Sequence, residues 1–140
     1  MSSNTSFPLA YGHSYPFELL GLSQESELNR VVCAISLNCA HCIRLLPLLK
    51  EFEKNPTFEF LLITNGKNEE NAIIRAHFGF QFQIISYANR DYSEIGITAT
   101  PQAYLVNRQG KVINHRKISQ IDDLKALWRE GEEIDTNLLS

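Results

Sequence analysis

Cysteine is scarce in this 140-residue chain: three residues, too few for a disulfide scaffold and odd in number, so that one is left over from any pairing. Long hydrophobic runs are absent, and no stretch approaches the roughly 18 apolar residues of a membrane span. Basic charge is not in surplus either. Thirteen Lys and Arg against sixteen Asp and Glu give a net charge of −3, which gives no reason to expect nucleic-acid or anionic-membrane binding. Residues 1–22 carry no positive region followed by an apolar core, so no export signal is read. The expected address is therefore cytoplasmic, unless a leader has been removed. No phosphate loop, Ser/His/Asp pattern, internal repeat or low-complexity tract is present. What remains is one globular domain, with 44% hydrophobic residues and 10% aromatics, large enough for an ordinary core.

The stretch that carries chemistry is Cys39-Ala40-His41-Cys42. An apolar run over residues 31–37 leads into it and a helical pattern over 43–54 leads out. Two thiols separated by two residues at a strand-to-helix junction read as a redox dithiol. The first sits near unpaired backbone N–H groups and the positive end of the helix dipole, an environment that favours thiolate over thiol. The second lies about one turn on, within reach of a small disulfide if the turn geometry is suitable.

Taken in order, residues 1–14 read as a flexible segment, 15–131 as the domain and 132–140 as a polar tail. Residues 6–22, punctuated by Pro8, Gly12, Pro16 and Gly21, suggest a loose approach with one or two short edge strands. The continuous run 31–37 suggests a strand buried on both faces. In 43–54, Ile43, Leu46 and Leu49, and Leu45, Leu48 and Phe52, recur at helical spacing, with Pro47 expected to kink the helix. Asn55-Pro56 ends it. A strand follows over 57–63, then a helix over 69–78 with Ile73, Ile74, His77 and Phe78 inward and Gly79 as cap. A strand over 80–87 and a short helical turn over 91–95 come next. Strands over 102–106 and 111–116 flank the turn Asn107-Arg108-Gln109-Gly110. Ser119, with Asp122 three residues on, is expected to cap a last helix that Gly131 ends. Alternating βαβαβ implies parallel pairing, and the hairpin adds antiparallel strands.

Four features in register resemble the thioredoxin-like superfamily: the apolar strand into Cys39–Cys42, the helix proline Pro47, Pro101 after Gly96-Ile97-Thr98-Ala99-Thr100, and the hairpin from Ala103 to Val112. The hairpin and the long interval between Cys42 and Pro101 are most similar to the cytochrome-maturation type and to the accessory proteins of methylamine utilisation. Thioredoxin-like proteins encoded with sporulation-killing peptide bacteriocins are similar in length and in lacking a leader. The resemblance covers roughly residues 15–130. It implies an α/β, thioredoxin-like fold, a mixed central sheet with helices on both faces. The chain departs from the pattern in three places. Leu37-Asn38 stand where thioredoxin has Trp, Cys33 replaces its buried acid, and no acidic residue follows shortly after Cys42.

The implied activity is thiol–disulfide exchange with a protein or peptide substrate, with Cys39 attacking and Cys42 resolving. The disulfide itself is the only redox group required, and a recycling redox partner is implied. His41, also found at this place in the strongly oxidising periplasmic enzyme and in disulfide isomerase, reads as the pKa-tuning residue. Lowering a thiol from about 8.5 to about 5.5 raises the thiolate fraction at pH 7 about 30-fold, while intrinsic nucleophilicity falls about 20-fold. Attack barely improves, but the reduced form is stabilised, so the reading leans towards oxidant or isomerase. The resemblance also implies a cis bond before Pro101, which would set the Thr100 backbone beside the dithiol as a groove for an extended substrate. Cys33 reads as a small buried hydrophobe and His77 as a core histidine. A zinc site from Cys39, Cys42 and two scattered histidines would lack the usual second ligand pair and is not expected. The alternative is a redox-silent binding or carrier module that uses the groove beside Pro101.

Overall fold

The computed structural model describes residues 9–54 and 57–139. Five strands, β1 Asn29–Ala34, β2 Phe58–Thr64, β3 Gln83–Ser86, β4 Gln102–Val106 and β5 Val112–Lys117, form one mixed sheet in the order β3-β2-β1-β4-β5. β1 runs parallel to β2, and β2 to β3, while β4 lies antiparallel to both β1 and β5. β1 is central and buried throughout, and from Val31 to Ala34 its side chains are apolar on both faces. Val31 and Cys33 look to one side, Val32 and Ala34 to the other. The strand begins two residues before the apolar run, because Asn29 and Arg30 pair with Phe58 and Glu59 and the Arg30 side chain meets Glu59 at 3.1 Å.

Helical segments cover both faces. On one side lie the helices α1 Ala40–Leu45, α2 Asn68–Phe78 and α3 Ile121–Leu139, contributing Leu45, Ile74, Leu124 and Trp128 to a core with Phe58, Phe60, Phe80 and Phe82. On the other lie two 3-10 turns, Phe17–Leu20 and Tyr92–Ile95.

Several expectations need correction. The helix over 43–54 is α-helical only to Leu45 and continues as a 3-10 helix from Leu46 to Lys54. Pro47 has no N–H to give to the carbonyl four residues back, and its ring crowds that carbonyl. The Leu46 amide already bonds three residues back, to Ile43. Proline therefore changes the helix type, and Ile43 and Leu48 turn outward. In α2 the inward residues are Asn71, Ile74 and Phe78, whereas Ile73 is 68% exposed and His77 is also exposed, its ring edge against Phe78. Gly79 caps α2 as expected, at φ +69°.

α3 does not stop at Gly131 but runs through the expected tail to Leu139. Gly131 is there for packing: a Cβ would fall 2.3 Å from the Phe58 ring. Its cap also shifts by one residue, since Asp123 accepts hydrogen bonds from the Ser119 and Gln120 amides, whereas Asp122 was expected. β3 is shorter than the expected 80–87, because Phe80 and Phe82 turn into the core before the ladder begins.

The approach segment is far from loose. Tyr15 and Phe17 are fully buried, and Gly12 and His13 exchange backbone hydrogen bonds with Val112. Of the segment expected to be flexible over residues 1–14, residues 12–14 pair with Lys111 and Val112; residues 1–8, like the break at Asn55-Pro56, lie outside the described residues.

Candidate active site

The C-terminal end of β1 delivers the chain into a tight turn before α1. The Leu37 amide donates to Asn65 Oδ1 at 2.9 Å, and Asn65 Nδ2 donates to Ser36 Oγ at 3.1 Å, which ties the turn to the end of β2. Cys39 is the N-cap of α1, with extended backbone at φ −109° and ψ 117°. Its Sγ accepts from the Cys42 amide at 3.4 Å, filling the place usually taken by a Ser or Asp side chain.

The two thiols have opposite surroundings. Cys39 is partly exposed, and its pKa is lowered first by the Cys42 amide, then by the Cys42 thiol, with help from the His41 amide and the Arg44 charge. Cys42 is buried, and burial pushes its thiol up to about 11. Two hydrogen bonds pull the other way, one from the Ser36 amide at 3.4 Å and one from the Thr100 side chain. All three cysteines are unbridged here. Cys33 is a fully buried residue of β1, raised to about 12 by burial and then by Cys42.

His41 lies on the first turn of α1, next to Cys42. Its side chain is exposed, and its backbone amide and the Arg44 charge both favour the Cys39 thiolate. His41 and Arg44 line a shallow surface depression with Leu48 and Ile121 beside the dithiol.

The Thr100–Pro101 peptide bond is cis. The Thr100 carbonyl lies 4.0 Å from Cys39 Sγ, at the outer limit of a thiol hydrogen bond. The loop ahead of it is fixed by buried Gln102, whose Oε1 accepts from the Thr98 amide at 2.8 Å, the Thr98 hydroxyl and the Ala99 amide. Cys39, Cys42, Thr100 and Pro101 thus meet at one end of the sheet. Sequence reasoning missed Ser36, Arg44 and Gln102. Only Arg44 left a signal, a basic residue in the turn after a C-x-x-C. Among the described residues no cluster of three or more His, Cys, Asp or Glu side chains could hold a metal.

The sheet order, the dithiol at the start of α1 and the cis proline opposite it make this a thioredoxin-like fold. No protein-family model matches the chain, and neither does any curated protein. Solved structures do. A thiol peroxidase from Chromobacterium violaceum superposes with a TM-score of 0.65 at 19% identity, over 90% of this chain and 89% of that one. The thioredoxin domain of a thiol-disulfide oxidoreductase from Bacteroides vulgatus gives 0.62 at 15%, over 88% and 99%. StoA from Bacillus subtilis gives 0.59 at 14%, over 74% and 84%. At these identities the likeness is one of fold.

Proposed function

We propose that the protein is a thiol–disulfide oxidoreductase that exchanges disulfides with protein or peptide substrates through Cys39 and Cys42. The observation that carries this is the asymmetry of the pair: a partly exposed Cys39 whose sulfur accepts from the Cys42 amide, beside a fully buried Cys42. In the oxidised enzyme a substrate thiolate attacks Cys39 Sγ, the Cys39–Cys42 bond breaks, and Cys42 leaves as thiolate and takes a proton. A second substrate thiolate then attacks the substrate sulfur of the mixed disulfide. Cys39 is expelled as thiolate, leaving a substrate disulfide and the reduced dithiol. An oxidised recycling partner restores the enzyme.

The lowered Cys39 pKa stabilises the reduced form and makes Cys39 a good leaving group, which supports oxidant or isomerase work over reduction. The Thr100 backbone beside Pro101 offers an edge on which an extended peptide can lie as an added strand. Maturation of a bacteriocin peptide, implied by the sequence resemblance, is one use of such a groove. No helix among the described residues is long and apolar enough to cross a membrane.

The test is the oxidation state of Cys39 and Cys42 across glutathione redox buffers, read by thiol trapping and mass. The expected midpoint lies near about −120 to −180 mV; one near about −270 mV would make the protein a reductase. No reversible bond at any poise would overturn the enzyme and leave the redox-silent binding module.

A further inference from the structure

The buried resolving thiol is served by a residue 50 positions away. The Tyr92 hydroxyl donates to the Ile35 carbonyl at 2.7 Å. The Ser36 amide donates to Cys42 Sγ at 3.4 Å. That carbonyl and that N–H belong to one peptide group, so the two bonds are in series: phenol to carbonyl, amide to sulfur. We infer that Tyr92 is a positioning residue for Cys42, polarising the Ile35–Ser36 peptide so that its N–H better stabilises negative charge on the Cys42 sulfur.

The inference rests on the oxidoreductase reading and deepens it. Cys42 must carry negative charge whichever way exchange runs. It leaves as thiolate when a substrate thiol opens the enzyme disulfide, and it attacks as thiolate when it resolves a mixed disulfide. Tyr92 itself stays protonated throughout, because burial raises its phenol well above the ordinary range. The proton that Cys42 gives up or takes goes to or from solvent.

Tyr92 is held for this task. It opens a 3-10 turn capped by Asp91, whose carboxylate accepts from the Ser93 amide at 2.9 Å, and its ring lies 6.0 Å from that of Tyr87. The titratable groups facing Cys42 are Cys39 from its own helix, Cys33 from β1 and Tyr92 from its turn, with the Thr100 side chain as a further donor. Series hydrogen bonds strengthen one another by about 10–30% per bond, so losing the phenol should cost Cys42 a modest factor, about two- to five-fold in rate.

The two half-reactions can be watched separately with 5,5′-dithiobis(2-nitrobenzoate) and the reduced full-length chain. Cys39 thiolate attacks the reagent and releases one thionitrobenzoate; Cys42 thiolate then displaces the second as the Cys39–Cys42 bond forms. Tyr92→Phe should leave the first release unchanged, slow the second about two- to five-fold and move its pH midpoint upward. Tyr104→Phe, which removes a hydroxyl from the same face but not from this series, should leave both unchanged. A second release in Tyr92→Phe as fast as in the parent overturns the inference and leaves the oxidoreductase standing, as does equal slowing in both variants. No second release from the parent overturns the oxidoreductase reading, and the inference falls with it.

Discussion

The two faces of the sheet are built from different aromatics. One is a phenylalanine face: Phe52, Phe58, Phe60, Phe80 and Phe82 are buried there with Trp128, and Phe78 packs beside them. The other is mainly a tyrosine face, with Tyr15, Tyr87 and Tyr104 buried together with Phe17, and Tyr92 against them. Every one of those four hydroxyls has a target on a loop or strand end: Ile95 carbonyl at 2.9 Å, Glu94 carboxylate at 2.6 Å, Gly96 carbonyl at 2.6 Å and Ile35 carbonyl at 2.7 Å respectively for Tyr15, Tyr87, Tyr104 and Tyr92. Phenylalanine contributes apolar area without direction, whereas a buried phenol must find a partner and so fixes where that partner lies. The phenylalanine face holds the sheet to its helices. On the tyrosine face Tyr15, Tyr87 and Tyr104 fix residues 94–96, and of the four only Tyr92 reaches the turn before Cys39.

The largest expected effect falls on the phenylalanine face. Phe60 stacks on Phe52 at 5.5 Å and meets Phe82 edge-on at 4.9 Å. Phe60→Ala should lower unfolding free energy by about 3–5 kcal/mol in denaturant titrations, with the pH midpoint of Cys39 alkylation unmoved. A shifted midpoint would mean that the two faces are not separable in this way. Tyr104→Phe should cost about 1–3 kcal/mol, because the Gly96 carbonyl loses its donor and the Leu9 amide its acceptor. A loss below about 0.5 kcal/mol would show that the hydroxyls merely fill space.

The smallest effect is at the site itself. Arg44→Gln should raise the Cys39 alkylation midpoint only slightly, since the Cys42 amide and thiol lower that pKa more than Arg44 does. In the parent, Cys39 should alkylate with a midpoint below the ordinary thiol value of about 8.5, while Cys42 stays unreactive until the pH nears about 11. The linked stabilities have opposite signs. The depressed Cys39 pKa contributes stability that is present above the unfolded thiol pKa and lost as pH falls through the folded value. The raised Cys42 pKa contributes stability that is present below the unfolded thiol pKa and lost as pH climbs towards about 11. Thiol-specific alkylation across pH, together with unfolding of the reduced protein, checks both.

Sequence reasoning reached the dithiol because its signal is local. A C-x-x-C between an apolar run and a helical pattern needs only neighbours to be interpreted, and the hairpin from Gln102 to Lys117 is announced by its turn residues. It failed for Tyr15 and Phe17, whose short apolar pieces between Gly12, Pro16 and Gly21 have no period to read. It failed for Gly131 because a helix stop and a close ring contact call for the same residue. His41 and Arg44 could not be ranked, since their distances to one sulfur depend on how the turn sets the helix.

The sequence alone determined the order of the five strands and the three α-helices, the dithiol at a helix start and the disturbance of the helix at Pro47, all of which rest on contacts within a few residues. Tertiary structure alone decided that Cys39 and Cys42 differ in burial, that Thr100 meets Cys39 across 61 positions, and that Tyr92 reaches Ile35 across 57. The donors that lower Cys39 are its near neighbours Cys42, His41 and Arg44, but the burial that raises Cys42 and the contacts of both thiols with Thr100 come from segments that are distant in the chain.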